Sequence, residues 1–293
     1  MDLTSALLLS LSIILGGGRT ILSKSISGMP FGERGFFAMQ ATIFATGAVL
    51  LFAVNPSAFS GLLPISLLYG AIYSALSVTS QWCYTVALRR GEASICGTVY
   101  SMGFVMPTLA GMFFWSEEVS LPKILGIIIV IPTLIISGMK GKSSPMQKAA
   151  LGNAYIIPLC IAMLAAGTLG ILQKHLPTSA SGSQISAVII ISFVLSFAVS
   201  LGCAVFSRPV PIKSPKKSFL SATGVGICFG SCNFLNTLLA GMLDSTVLFP
   251  TLNIGIILFT LLLGVIFFGE KFGRRQIAIV ALGTASILLI TFS

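Results

Sequence analysis

Charge is what this sequence has least of. Of its 293 residues 8% are charged, and only seven are acids: Asp2, Glu33, Glu92, Glu117, Glu118, Asp244 and Glu270. A soluble domain carries about 25% charged residues, so this chain cannot cover an ordinary water-facing surface. Histidine is rarer still, with His175 alone. One histidine and scattered acids cannot build a His/carboxylate metal centre or the clustered acid–base groups of an enzyme. The sequence lacks GxxxxGK[ST], which leaves out a nucleotide-driven pump built from this chain alone. The six cysteines (Cys83, Cys96, Cys160, Cys203, Cys228 and Cys232) all fall inside apolar stretches. There they read as small buried thiols rather than as a disulfide framework.

Apolar residues fill the space. They make up 55% of the chain, and mean hydropathy is +1.02. Runs of about 20 apolar residues read as membrane-crossing helices. A membrane barrel would show short alternating segments instead. The runs are residues 3–22, 35–54, 62–88, 93–115, 124–139, 151–172, 185–206, 219–242, 246–268 and 277–292. The fold expected is therefore all-α and integral to a membrane, with ten transmembrane helices. The first run lacks a basic start and a small-x-small cleavage site, so it reads as a helix and not as a signal peptide.

The chain repeats itself. Gly111, Phe114 and Glu117 recur as Gly264, Phe267 and Glu270 at an offset of 153 residues, and the flanking apolar runs align with them. Internal similarity of this kind marks a repeated unit. The polar stretch Lys140–Lys148 divides the runs five and five, giving repeats at 1–143 and 149–293. Five is odd, so the second repeat enters the membrane the other way up. Inverted repeats are a common plan of secondary transporters.

Basic residues set the orientation. Loops after runs 1, 3, 5, 7 and 9 hold fourteen of the 17 lysines and arginines, while the other loops hold only Lys123 and Lys174. By the positive-inside rule the rich side is cytoplasmic, and both termini lie outside. The net charge of +10 thus reports orientation and not a nucleic-acid partner. Within the runs, Pro107, Pro132, Pro158 and Pro250 interrupt helices; they are either kinks absorbed by neighbours or bends that let a helix end swing. Ala222, Gly226 and Gly230 recur every fourth residue and predict close helix packing.

Two inverted five-helix halves, each with an acid after its fourth helix, resemble the drug/metabolite transporter superfamily, EamA-type. Gly91-Glu92-Ala93-Ser94, Pro107 and Trp115-Ser116-Glu117 carry the resemblance in the first half. Asp244-Ser245-Thr246, Pro250 and Phe268-Gly269-Glu270-Lys271 carry it in the second. The first half departs from the pattern, with Ser116-Glu117-Glu118 where Gly-Glu-Lys is usual; Thr260 stands where the repeat would place a match for Pro107. The resemblance implies a multi-pass permease of the cytoplasmic membrane, with a small-molecule substrate bound in a central cavity.

Polar groups at membrane depth are costly, so they pair or line a wet cavity. The candidate substrate-binding residues are Tyr73, Gln81, Trp82 and Tyr100 in the first half and Asn233, Asn236 and Asn253 in the second. Tyr100 aligns with Asn253, and the other two asparagines fall opposite Ser80 and Cys83, beside Gln81. The competing reading is interhelical hydrogen bonding. Glu92, Asp244 and Glu270 are candidates for a gate or for ion coupling. Glu117 and Glu270 also read as helix-end charges in tight turns. Arg19 sits one turn from a helix end, where it can snorkel. Every acid lies in a loop, at a terminus or at a helix end, which favours transport not coupled through an intramembrane acid.

The chain is therefore expected to be a secondary transporter of small organic metabolites or drugs, without a cofactor or resident metal, as a monomer or homodimer in the lipid bilayer. The rival classes are a non-transporting membrane scaffold and a membrane-embedded enzyme.

Overall fold

A computed structural model describes residues 2–27, 32–90, 96, 99–118, 120–138, 155–208, 215–268 and 273–291. Ten α-helices fall among the described residues, which hold no strand. They are α1 (Leu3–Ser27), α2 (Glu33–Val54), α3 (Pro64–Arg90), α4 (Val105–Phe114), α5 (Leu121–Gly138), α6 (Ile156–Thr178), α7 (Ile185–Phe206), α8 (Pro215–Met242), α9 (Ser245–Phe268) and α10 (Arg274–Thr291). Each matches one apolar run. The fold is all-α, and its helices turn leucines, isoleucines and phenylalanines outward; Phe113 is 78% exposed and Phe206 92%. Such outward surface suits lipid and not water.

Six helical segments are long and apolar enough to cross a membrane: Leu3–Ser23, Glu33–Val54, Ile156–Thr178, Gly182–Phe206, Lys216–Met242 and Ser245–Leu263. That is fewer than the ten runs expected. The segments Val99–Phe114, Leu121–Ile136 and Ile277–Thr291 are apolar but shorter. Helix α3 has 27 residues but is diluted by Ser66, Ser74, Ser77, Ser80, Gln81 and Thr85.

Proline sets some local detail. Pro107 has no N–H, and its ring crowds the carbonyl four residues back. A 3-10 turn, Met102–Phe104, accordingly precedes α4. Pro122 sits in the first turn of α5, where the missing N–H costs nothing. At the chain start, a hydrogen bond from the Ser5 side chain holds the Asp2 carboxyl below its ordinary range.

The helices form two compact units. The first comprises Asp2–Val78 and Leu172–Met242. Within it, α1 packs on α8, and α2 packs on both α7 and α8. Methyl groups on Gly226 and Gly230 would come within 2.5 Å of the Ile43 carbonyl and 2.9 Å of the Gly47 Cα. This stripe therefore seats α8 directly on the α2 backbone, as its spacing predicts. Both contacts advance four residues together, so α2 and α8 run parallel. By contrast α2 and α7 are antiparallel: Gly47 faces Phe193, while Asn55, further along α2, donates to Ser186, further back on α7, at 3.1 Å. Phe44, Phe193 and Phe229 form the aromatic centre, with ring centroids 5.4–6.0 Å apart.

The second unit comprises Thr79–Ile171 and Leu243–Ser293. Here α9 packs on α4, α5 and α10, and α5 packs on α10. Gly111 of α4 faces Ser245 of α9, while Pro107, one turn earlier, meets Phe249 at the wall of Gly170; α4 and α9 are thus antiparallel. Gly103 of the 3-10 turn lies on the Met163 carbonyl and Gly167 on Gly103, so that turn, just before α4, meets α6 backbone to backbone. Ser286 of α10 donates to the Gly126 carbonyl of α5 at 2.8 Å.

Candidate functional site

The sequence candidates separate into two groups, one in each compact unit. In the first unit, Tyr73 is wholly buried. Its phenol donates to Asn233 Oδ1 at 2.8 Å. Gln173 Nε2 donates to the Tyr73 oxygen at 2.8 Å and to Asn233 Oδ1 at 3.3 Å. The Asn233 amide returns its own proton to the Phe229 carbonyl at 2.8 Å. Phenol and amide thus bond one another across α3, α6 and α8, and Tyr73 and Asn233 act as a brace. Gln173 was absent from the sequence candidates, because it falls one residue past the expected end of its apolar run. Asn236 is also engaged: it accepts from Ser12 of α1 at 2.6 Å. Two turns along the same pair, the Arg19 guanidinium lies 4.1 Å over the Phe229 ring, a cation–π contact. Further out, the Tyr69 hydroxyl lies 3.1 Å from Nε2 of the exposed His175.

In the second unit, the Tyr100 hydroxyl lies 3.0 Å from Ser80 Oγ. Its ring sits on Tyr84, with centroids 4.3 Å apart. Both rings border a small apolar cluster of Ala87, Cys96 and Leu159. Gln81 is buried and its carbonyl accepts from Thr85 Oγ1 at 2.7 Å; Trp82 is half-buried on the same helix. Asn253, half-buried on α9, donates to the Phe249 carbonyl at 2.9 Å. That is a bond within its own helix, and among the described residues no hydrogen bond joins Tyr100 to Asn253. Among the described residues no hydrogen bond reaches the Asn253 Oδ1. On the same helix the buried Thr251 hydroxyl has no partner among the described residues. Buried polar atoms are rarely left so.

The acidic candidates divide likewise. Glu92 and Glu270 lie outside the described residues. Asp244, just before α9, pairs with Lys123 of α5 at 3.4 Å. The Lys123 ammonium also donates to the Glu118 carbonyl at 3.0 Å. Asp244 is 47% exposed, so the pair contributes at most about 1 kcal/mol.

Glu117 does more than end α4. Its Oε1 accepts the Ser245 backbone N–H at 2.8 Å, and Oε2 accepts that of Thr246 at 3.0 Å. These are first-turn donors of α9, which have no partner within their own helix. The carboxylate also meets the positive end of the helix dipole. Two local features aim it there. Ser116 adopts a left-handed φ of 49°, and the Glu117 N–H reaches back to the Gly111 carbonyl at 3.3 Å. Gly111 clears the path, since a methyl there would lie 2.5 Å from Glu117 Oε2.

No family model matches the sequence, and no curated protein matches it. A solved structure, described only as a crystal structure of a protein, is similar with a TM-score of 0.77 at 15% identity. The likeness covers 98% of this chain and 98% of that one. At this identity it shows a shared fold, extending over the whole chain.

Proposed function

We propose that the chain is a secondary transporter of small organic solutes in the cytoplasmic membrane. In this reading ten helices cross the bilayer as two inverted repeats, residues 1–143 and 149–293, of the EamA-type drug/metabolite transporter kind, and the protein works by alternating access. One observation carries it. Helices α2 and α7 are repeat mates and pack antiparallel, as do α4 and α9; α5 packs on its mate α10. The remaining pairs, α1 with α8 and α3 with α6, exchange with one another when each helix is replaced by its mate. Antiparallel contact between a helix and its mate is the arrangement that inverted repeats would give, and it supports this reading.

Burial supports the orientation. Lys123 and Lys174, the two basic residues that fall on the charge-poor side, are 7% and 8% exposed. Their burial fits a side of the membrane that carries little exposed basic charge. Among the described residues of the second unit, Tyr100 and Asn253 are the candidates whose hydrogen bonds leave capacity for a solute. Asp244 is engaged with Lys123, which favours transport not driven through that carboxylate.

The test is a comparison of metabolite profiles inside and outside cells that lack or overproduce the protein. At least one small organic solute should shift in opposite directions in the two strains. Identical profiles across a broad set of metabolites would contradict the transport reading.

A further inference from the structure

The repeated Gly-x-x-Phe-x-x-Glu turn has a task in its first copy that helix termination alone does not require. Glu117 spans from the first sequence repeat to the first turn of α9, in the second, and holds two of its amides. Ser245 and Thr246 are fully buried. Without the carboxylate, their N–H groups would face neither water nor a helical acceptor. Among the described residues, the Lys123 ammonium of α5 holds both the Asp244 carboxylate just before α9 and the backbone carbonyl of Glu118 in the turn.

We infer that Glu117 is the N-terminal cap of α9, a positioning residue by which the α4–α5 turn fixes where that helix begins. Gly111 is its required companion, and the Lys123–Asp244 pair clamps the chain immediately before the capped turn. Asn253 lies two turns along α9, so the cap also sets the placement of the best candidate solute contact. Only this last step rests on the transport reading.

The test needs no substrate. Amide hydrogen exchange of a peptide covering residues 243–248 is compared with that of a peptide from the middle of α9, in purified full-length protein. Glu117→Gln, nearly the same size, should speed exchange of the first-turn amides by roughly tenfold or more, with mid-helix exchange unchanged. Gly111→Ala, at a different position, should reproduce that pattern by displacing the carboxylate. Lys123→Asp should loosen the same peptide, and adding Asp244→Lys should restore its protection. Unchanged first-turn exchange in Glu117→Gln would overturn the proposal, as would uniform acceleration along α9. If Gly111→Ala fails to fold, Glu117→Gln and the charge swap still decide the matter. A failure of all transport assays would leave these exchange results standing, so the two readings fall separately.

Discussion

Tyr73 donates its phenol proton to Asn233 across 2.8 Å, in a spot wholly closed to solvent. Both residues read from sequence as substrate contacts, yet each is bonded to the other and to Gln173. A brace of this kind contributes to stability. Tyr73→Phe should cost about 1–3 kcal/mol, the penalty of leaving a buried amide short of a partner. Thermal unfolding in detergent checks this, and flux per folded molecule should stay near wild type.

Ser116 adopts a left-handed backbone conformation where the second repeat has Gly269. A side chain there costs about 1–2 kcal/mol, part of which glycine returns through its freer unfolded chain. Ser116→Gly should therefore stabilise the protein by about 0.5–1 kcal/mol, read as a rise in melting temperature. A lower melting temperature would show that the Ser116 side chain has a role of its own.

Gly226 rests on the Ile43 carbonyl, and backbone cannot step aside as a side chain can. Gly226→Ala should cost about 1–3 kcal/mol through overpacking, and Gly226→Leu should abolish the folded protein. Gly202 provides the control, since nothing lies within 4 Å of a methyl placed there. Gly202→Ala should raise the melting temperature slightly, through about 0.5–1 kcal/mol of helix propensity, and must not lower it.

These positions also show how far the sequence could be read. The ten helices follow from apolar runs, and the packing role of Gly226 and Gly230 follows from their four-residue spacing. The need for a left-handed residue at Ser116 was legible only by alignment with Gly269. The partner of Glu117 was not legible, because a carboxylate that caps a helix more than a hundred residues away leaves no local pattern. Gln173 was missed for a related reason. An amide at the edge of an apolar run looks like a loop residue until a tyrosine and an asparagine from other helices are placed against it. Conversely, α3 reads as a span by length, yet its serines and Gln81 lower its hydropathy.

Orientation can be checked without a substrate. Single cysteines at Arg89, Lys216 and Arg274, in a cysteine-free background, should resist an impermeant thiol reagent applied to intact cells. A cysteine at Ser57, between α2 and α3, should react. The opposite pattern would invert the topology.

The central claim is that the protein moves small solutes and uses Tyr100, just before α4, and Asn253 of α9 to do so. Its most direct measurement is efflux from proteoliposomes loaded with a metabolite extract, with the medium followed by mass spectrometry. The account predicts that wild-type protein releases a small subset of solutes faster than empty liposomes. It also predicts that Tyr100→Ala and Asn253→Ala slow that release by about tenfold or more, as loss of a buried polar contact implies, at unchanged melting temperature. Release no faster than from empty liposomes, or variants that melt early while releasing normally per folded molecule, would contradict it.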